Sequence, residues 1–200
     1  MLSCNGFRLD GIWAVFSTGD EVINPSSSRP ANTNAHNRIY DSNRYAIMSL
    51  LEGLGCEVTD LGILPDSFKL IHSALSLASS EHDLLITTGG MSKSEEDHVA
   101  AAVQSLGNLY FWRLAVKPGR PIAFGKVKNS SFLGLPGNPV AALVTFMLIA
   151  RPVILMLGGC VEITPHIFQV KAGFSYAEKK LGRREWLRVR LVPDSGGSPV

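Results

Sequence analysis

Short apolar runs that alternate with segments of helical spacing constrain the fold of this chain more than any other feature. The runs Ile12–Phe16, Val58–Leu64 and Leu84–Thr87 each have the length of one buried strand and end in turn residues. Between them, apolar residues recur at i, i+3, i+4 and i+7, most clearly in the segment 42–54. Helices between strands require crossover connections, so the sequence predicts an α/β domain of three layers, with a mostly parallel sheet and helices on both faces.

The second half of this domain contains three strand candidates joined by short turns, at Leu109–Val116, Ile122–Val127 and Phe132–Leu135. Such close spacing leaves no room for crossover helices and predicts an antiparallel pair at one edge of the sheet. A long apolar helix begins at Pro139, and the domain is predicted to span residues 1–157.

Residues 158–200 are predicted to form an incomplete C-terminal β domain. They contain two strand candidates, Ile167–Val170 and Trp186–Val192. Two strands are too few for an independently stable sheet.

Charge and cysteine content exclude several classes of protein. A formal net charge of +2, with 18% charged residues, is too weak for a nucleic-acid-binding protein. The three cysteines (Cys4, Cys56 and Cys160) are far apart, which argues against a disulfide framework or zinc site and favours a reducing, cytoplasmic setting. The apolar segment 140–157 is interrupted by a threonine, an arginine and a proline, so it is predicted to be a buried helix and not a membrane span.

Four polar or glycine-rich segments follow or precede the predicted strands. In an open α/β sheet, ligands bind beyond the carboxyl ends of the strands, where loops meet helix N-termini. The segments are Thr87-Thr88-Gly89-Gly90-Met91-Ser92, Leu135-Pro136-Gly137-Asn138-Pro139, Lys117-Pro118-Gly119-Arg120-Pro121, and Gly19-Asp20-Glu21 together with Asp41-Ser42-Asn43. Glycines allow close backbone approach to an anion, and prolines fix the two cations of the third segment in place, so the pattern indicates a site for an oxyanion.

Several of these residues have a purely structural interpretation as well. Asn138 and Pro139 are typical of a helix start that needs no ligand. Asp97 is equally compatible with a metal ligand and with the third position of a capping box that begins at Ser94. Acidic groups beside a phosphate pocket favour magnesium, but Asp20 also suits a local turn, and Asp41 or the residue after it also suits a helix cap.

Taken in order, these segments resemble the molybdopterin molybdenumtransferase family, whose members insert molybdate into adenylylated molybdopterin. The resemblance covers about residues 12–157 and is most specific at Trp112–Pro121 together with Pro136–Pro139. The other matching stretches are Ser17-Thr18-Gly19-Asp20-Glu21, Ile39-Tyr40-Asp41-Ser42-Asn43, Asp60-Leu61-Gly62-Ile63, Pro65-Asp66 and Thr88-Gly89-Gly90-Met91-Ser92.

The resemblance implies the molybdopterin-binding fold and roles for several residues of these segments. The residues that would cradle the pterin and its phosphates are Gly89, Gly90, Ser92, Pro136, Gly137, Asn138 and Pro139. Those implied to be catalytic are Glu21, Asp66, Asp97 and Lys117, and Glu21 and Asp97 would also bind magnesium. Those implied to bind molybdate are Arg120, Pro121 and Arg183, the last from the stretch Gly182-Arg183-Arg184-Glu185-Trp186. The resemblance also implies AMP release and a homodimer, with no nucleic-acid or membrane partner.

The chain departs from the family pattern at several positions. Lys93 and Ser94 stand where the family has a small apolar residue and a glycine, Ala141 replaces a frequent serine, and Arg120 replaces a frequent lysine. Family members carry two further domains before this one that complete the cleft. We therefore expect this stretch alone to be incomplete for catalysis.

Two alternative functions fit part of the pattern. A molybdopterin adenylyltransferase shares the double-glycine and Leu-Pro-Gly segments, although the stretch Trp112–Pro121 argues against it. A non-catalytic molybdopterin-binding or scaffold module is the other, because a fold can serve without catalysis.

Overall fold

The computed structural model describes residues 9–26, 38–90, 97–176 and 182–192. The strands are β1 Leu9–Thr18, β2 Val22–Ile23, β3 Ile39–Tyr40, β4 Cys56–Leu64, β5 Leu84–Thr88, β6 Gly107–Arg113, β7 Val116–Lys117, β8 Pro121–Val127, β9 Ser130–Leu135 and β10 Arg184–Glu185. The helices are α1 Ser42–Glu52, α2 Phe68–Ala78, α3 His98–Leu106, α4 Pro139–Thr145 and α5 Arg151–Leu157, with a π-helical turn at Phe146–Ala150 between the last two.

The main sheet has six strands in the order β4-β1-β5-β9-β8-β6. The first four are mutually parallel, whereas β8 runs antiparallel to both β9 and β6. The mostly parallel sheet and its antiparallel edge are therefore confirmed. The strand predicted at Leu109–Val116 instead begins at Gly107 and ends at Arg113, and the next strand residues, Val116–Lys117, pair with β10.

Helices cover both faces of the sheet, as predicted. Trp13 and Val15 of β1 pack into one core cluster with α1 and the π turn–α5 segment. The alternating residues Ala14 and Phe16 pack into a second cluster with α2 and α3. Successive side chains of a strand point to opposite faces, so one buried strand supplies both cores.

The parallel strands place four loops at one edge of the sheet. The carboxyl ends of β1, β4, β5 and β9 meet there, and the antiparallel strand β8 begins there with Pro121. The glycine-rich, acidic and cationic segments singled out in the sequence therefore lie along the same edge.

The last helical stretch runs without a break from Pro139 to Leu157. Pro152 has no amide hydrogen to donate to the preceding turn, and the hydrogen bonding changes to the π pattern just before it. By length and composition this helix could cross a bilayer, which the interrupted sequence did not suggest. One face of the helix is buried, since Phe146, Ala150 and Ile154 are at most 1% exposed in the first core cluster. Only 39% of the apolar window is buried, and Leu143 and Met147 are exposed, so the predicted burial holds for that face alone.

The two strands predicted in the tail are wrong. Ile167–Val170 and Trp186–Val192 have no regular secondary structure, and the tail contributes only the two residues of β10. A strand needs a neighbour for its backbone hydrogen bonds, and within the described part of the chain only β7 pairs with the tail. A groove of about 840 Å³ lies between the tail and the start of α4.

Candidate functional site

The double-glycine turn between β5 and α3 is built so that only glycine fits. Gly89 and Gly90 both have positive φ values, of 88° and 66°. A Cβ atom on Gly89 would lie 2.7 Å from the carbonyl oxygen of Thr18, and one on Gly90 would lie 2.6 Å from methyl carbons of both Thr18 and Val99. The turn therefore presents bare backbone at the start of α3.

The loop at Pro136–Pro139 contacts this turn. The backbone N–H of Gly89 donates to the carbonyl of Leu135 at 3.1 Å. A Cβ atom on Gly137 would lie 3.5 Å from the Cα of Gly89. The two glycine-containing loops thus form one continuous surface.

Asn138 caps α4, as the structural interpretation of the sequence predicted. Its side-chain oxygen accepts from the N–H of Ala141 at 3.1 Å, and Pro139 occupies the first turn. Because Asn138 itself is exposed, its cap lies at the surface of the same edge.

Asn43 is a site residue to which the sequence analysis assigned no role. Its side-chain nitrogen donates to the carbonyl oxygen of Gly137 at 2.8 Å and ties the first turn of α1 to the Pro136–Pro139 loop. No local pattern shows this bond, because 94 residues separate the two positions.

Asp97 is the N-cap of α3 and retains one oxygen without a partner. Its Oδ1 accepts from the N–H of Ala100 at 3.1 Å, whereas Oδ2 is buried and makes no hydrogen bond to the described residues. Burial raises the pKa of Asp97 to about 6 and nearby Asp66 adds to this, although the backbone N–H groups of Ala100 and Val99 oppose it. Asp97 is thus the N-cap itself and not the N3 residue of a capping box that begins at Ser94, while Ser92, Lys93 and Ser94 lie outside the described residues.

The other two predicted acidic residues lie on neighbouring loops at the same edge. The N–H of Asp66 donates to Oδ1 of Asp20 at 3.4 Å, which joins the loops after β4 and β1. The carboxylate of Glu21 folds over Gly19, with Oε2 2.8 Å from where a Cβ atom on that glycine would be. Within the described ranges, no three side chains of His, Cys, Asp or Glu form a group able to hold a metal.

Asp41 has a structural position, in agreement with its interpretation as a helix cap. It is 3% exposed, accepts from the N–H of Arg44 at 3.2 Å and forms an ion pair with the guanidinium of that residue at 2.8 Å. Arg44 also pairs with Asp60 on β4. Both carboxylate oxygens of Asp41 are therefore used within the fold.

The cationic loop, Lys117–Pro121, packs against α4. Its Lys117–Pro118 peptide is cis, and Gly119 has a φ of 103°. A Cβ atom on Gly119 would lie 2.3 Å from the methyl carbon of Thr145, so the loop is in close contact with the helix.

The predicted molybdate ligands lie around this loop. Lys117 is exposed but forms an ion pair with Glu185 of the tail at 3.0 Å, and this carboxylate raises the pKa of Lys117. Arg183 is close enough to Lys117 to oppose that shift. Arg120 and Pro121 are half-buried, and the guanidinium of Arg120 has no ion pair with the described residues.

The protein is similar to curated relatives over most of its length. It is 47% identical over 145 residues to molybdopterin molybdenumtransferase of Haemophilus influenzae, covering 72% of this chain and 35% of that protein. It is 36% identical over 186 residues to the protein of the same name from Nostoc sp., covering 90% of this chain and 41% of the relative. The chain thus spans well under half the length of these relatives.

Solved structures show the same fold. A crystal structure of the molybdopterin biosynthesis moeA protein from Pyrococcus horikoshii has a TM-score of 0.65 and 28% identity, covering 74% of this chain and 35% of that one. The MoaB structure from Thermus thermophilus, at 20% identity and a TM-score of 0.53, covers 74% of this chain and 97% of that one and shares the fold alone.

The model of the family described as "Probable molybdopterin binding domain" matches residues 14–156, which include the whole strand-end edge from β1 to α4. Since this match covers most of the chain, the protein belongs to that family.

Proposed function

We propose that this chain is the molybdopterin-binding part of a molybdopterin molybdenumtransferase of molybdenum cofactor biosynthesis. It would bind adenylylated molybdopterin and support magnesium-dependent insertion of molybdate with release of AMP. The observation that carries this proposal is the contact between the double-glycine turn and the Pro136–Pro139 loop, next to the unpartnered Oδ2 of Asp97. The relatives named as this enzyme support the choice of reaction.

The pterin phosphates would bind at the exposed backbone of the two loops. Gly90 lies against Val99 in the first turn of α3, and Gly137 lies beside Gly89. Helix N-termini carry partial positive charge and unpaired N–H groups, which favour phosphate. Ser92, Pro136, Asn138 and Pro139 complete this proposed set.

Magnesium fits the acidic residues of the site. Asp97 offers a buried oxygen without a partner and Glu21 an exposed carboxylate, and magnesium commonly takes one or two carboxylates together with waters and substrate phosphates. When bound, the ion would neutralise charge that develops as the bond between the pterin phosphate and AMP breaks. Asp66, whose negative charge contributes to the raised pKa of Asp97, would be a further acidic group of the site.

Molybdate would bind at the cationic loop. Arg120 has a guanidinium without an ion pair among the described residues, and guanidinium groups recognise oxyanions in a bidentate manner. Lys117, Pro121 and Arg183 would border this molybdate site. Lys117 would have to break its ion pair with Glu185 before it could bind the oxyanion.

The relatives named as this enzyme are much longer than the stretch that matches this chain. We propose a homodimer in the cytoplasm and expect slow turnover by these residues alone, because an incomplete cleft positions its substrates poorly and admits water.

Retention of the ligand tests the proposal. The protein is incubated with adenylylated molybdopterin, magnesium and molybdate, and bound pterin and released AMP are measured after gel filtration. We expect retained pterin in the wild type and lost AMP release in Asp97→Asn. Asp83→Asn, at the opposite end of β5, is the matched control and should behave as the wild type.

Each result has a clear meaning. No retention at high micromolar ligand would refute the proposal. Retained pterin without AMP release by the wild type would favour a binding or scaffold role, and AMP release by Asp97→Asn equal to that of the wild type would refute the role of Asp97. Formation of adenylylated molybdopterin from ATP and molybdopterin would favour the adenylyltransferase.

A further inference from the structure

Three buried side-chain oxygens without hydrogen-bond partners lie beside the double-glycine turn. They are Oγ1 of Thr18, Oγ1 of Thr87 and Oδ2 of Asp97, and none bonds to any residue in the described ranges. Thr18 and Thr87 are 2% and 0% exposed. Buried polar atoms are almost always hydrogen-bonded, so three of them in one region indicate a bound group that belongs there.

The three oxygens share one face of the sheet. Phe16 of β1 packs against α2 and α3, so Thr18, two residues further on, points to the same side. Leu85 of β5 packs on that side too, and so therefore does Thr87. Phe16 pairs with Thr87 in the register, which makes Thr18 and Thr87 diagonal neighbours.

The helix that begins after Asp97 covers this face. The methyl carbons of Thr18 and Val99 both lie 2.6 Å from where a Cβ atom on Gly90 would be, so the end of β1 and the first turn of α3 meet at this glycine. Gly134 pairs with Thr87 on β9 and contributes no side chain there. We call the side chains of Thr18, Thr87 and Asp97, which lie on or beside the face of the sheet that α3 covers, the threonine pocket.

We propose that the threonine pocket holds a water molecule of the hydrated divalent cation bound by Asp97, so that Thr18 and Thr87 are positioning residues for that cation. The inference rests on the proposed function. Water donates two hydrogen bonds and accepts others, which suits an acceptor carboxylate together with two hydroxyls that donate or accept. Magnesium keeps several of its waters in proteins, and the residues that orient them contribute to metal affinity.

The burial of the pocket distinguishes a water from a larger ligand. Because Thr87 is 0% exposed, a phosphate could reach its hydroxyl only if the surrounding residues moved away. A single water can be enclosed where two to four polar atoms surround it. Three buried oxygens without partners among the described residues fall within that range.

Binding of Mn²⁺ in the presence of AMP tests the inference without any measurement of activity. The signal of free Mn²⁺ in electron paramagnetic resonance gives the dissociation constant for the wild type and for Thr18→Val, Thr87→Val and Asp97→Asn. We expect both valine variants to bind about tenfold more weakly and Asp97→Asn to bind more weakly still. Thr59→Val, the same change at a half-buried position on β4, should bind as the wild type.

Melting temperatures of the metal-free proteins separate this role from a structural one. Valine has the shape of threonine and removes an unsatisfied hydroxyl, so both variants should melt at the wild-type temperature or about 2–4 °C higher. Thr18→Ser should restore Mn²⁺ affinity, because it keeps the hydroxyl.

The outcomes distinguish the two proposals. Wild-type Mn²⁺ affinity in Thr18→Val and Thr87→Val would overturn the threonine pocket and leave Asp97 as a metal ligand. Weak binding with a lowered melting temperature, not restored by serine, would also overturn it. If the wild type does not bind Mn²⁺, or Asp97→Asn binds equally well, the proposed magnesium site fails and the pocket fails with it.

Discussion

At the scale of single residues, the double-glycine turn shows how little space the strand-end edge allows. Gly90 combines a φ of 66° with methyl carbons at 2.6 Å on two sides, whereas Gly55 has a φ of 86° and no atom within 4 Å of its missing Cβ. The two positions share the backbone requirement and differ in crowding.

Gly90→Ala should therefore cost more stability than Gly55→Ala. We expect about 1 kcal/mol at Gly55, from backbone strain alone, and about 3 kcal/mol at Gly90, where crowding is added. Urea unfolding of both variants measures the difference. Equal losses would show that the turn relaxes around the new methyl group.

The raised pKa of Asp97 predicts a pH dependence of stability. Between the ordinary pKa of 3.8 and about 6, the folded protein holds a proton that the unfolded chain has lost. The stability due to protonated Asp97 is present below about pH 4 and is lost as the pH rises through 6. Asp97→Asn cannot ionise but still caps α3, so its free energy of unfolding should not fall in this way. As the pH rises from 4 to 6, the variant should therefore become more stable relative to the wild type by on the order of 1 kcal/mol, after allowance for solvent screening.

Asp83→Asn is the control for that titration, since Asp83 accepts from the N–H of Ile12 at the amino end of β5. Unfolding curves at pH 4, 5, 6 and 7 give the comparison. Parallel profiles for the wild type and Asp97→Asn would contradict the prediction.

At the scale of secondary-structure elements, the start of α1 is held differently from the start of α4. Asp41 caps α1 and also pairs with the buried Arg44, which is shared with Asp60. Asn138 caps α4 by a hydrogen bond alone. Both helix starts contribute to the site, and Asn43 joins them through Gly137.

Asp41→Ala should be much more destabilising than Asn138→Ala. The first removes a cap and leaves a buried guanidinium with one carboxylate, which costs about 3–5 kcal/mol. The second removes a cap only, at about 1 kcal/mol. Chemical denaturation of both variants checks the ratio, and similar losses would mean that Arg44 finds another partner.

At the scale of the whole molecule, the α/β domain is tightly packed and the tail is not. Ile167 and Phe168 are 80% and 69% exposed, whereas Leu155 is 3% exposed. Among the described residues, the tail's contacts with the domain include the two residues of β10, the hydrogen bond from Trp186 N–H to the carbonyl of Lys117 and the Lys117–Glu185 ion pair. The domain boundary near residue 157 thus remains a prediction that truncation can test.

A chain ending at Cys160, whose side chain packs against the first core cluster, should keep nearly the stability of the full chain. The loss should stay below about 1 kcal/mol, because the removed residues bury little apolar surface. Leu155→Ala, a change within the core, is the contrasting variant and should cost about 2–5 kcal/mol. A truncation as damaging as Leu155→Ala would show that the tail is part of the domain.

The sequence by itself determined the layers and most elements of the α/β domain, because apolar periodicity and capping residues are local signals. The runs at β1, β4 and β5 and the cap at Asn138 could all be found this way. The same reasoning failed for the tail, where alternating residues such as Leu187 and Val189 predicted a strand that has no neighbour to pair with.

Only the tertiary structure decided which polar atoms are left without partners. The sequence left Asp97 open between cap and ligand, and the fold gave one of its oxygens to the N–H of Ala100 and buried the other unpaired. Asn43 contacts Gly137, and the methyl carbon of Thr18 lies against Gly90. Both contacts form between segments that are distant in the chain. Hydrogen bonding and desolvation depend on which segments come together, and no local pattern of residues encodes that.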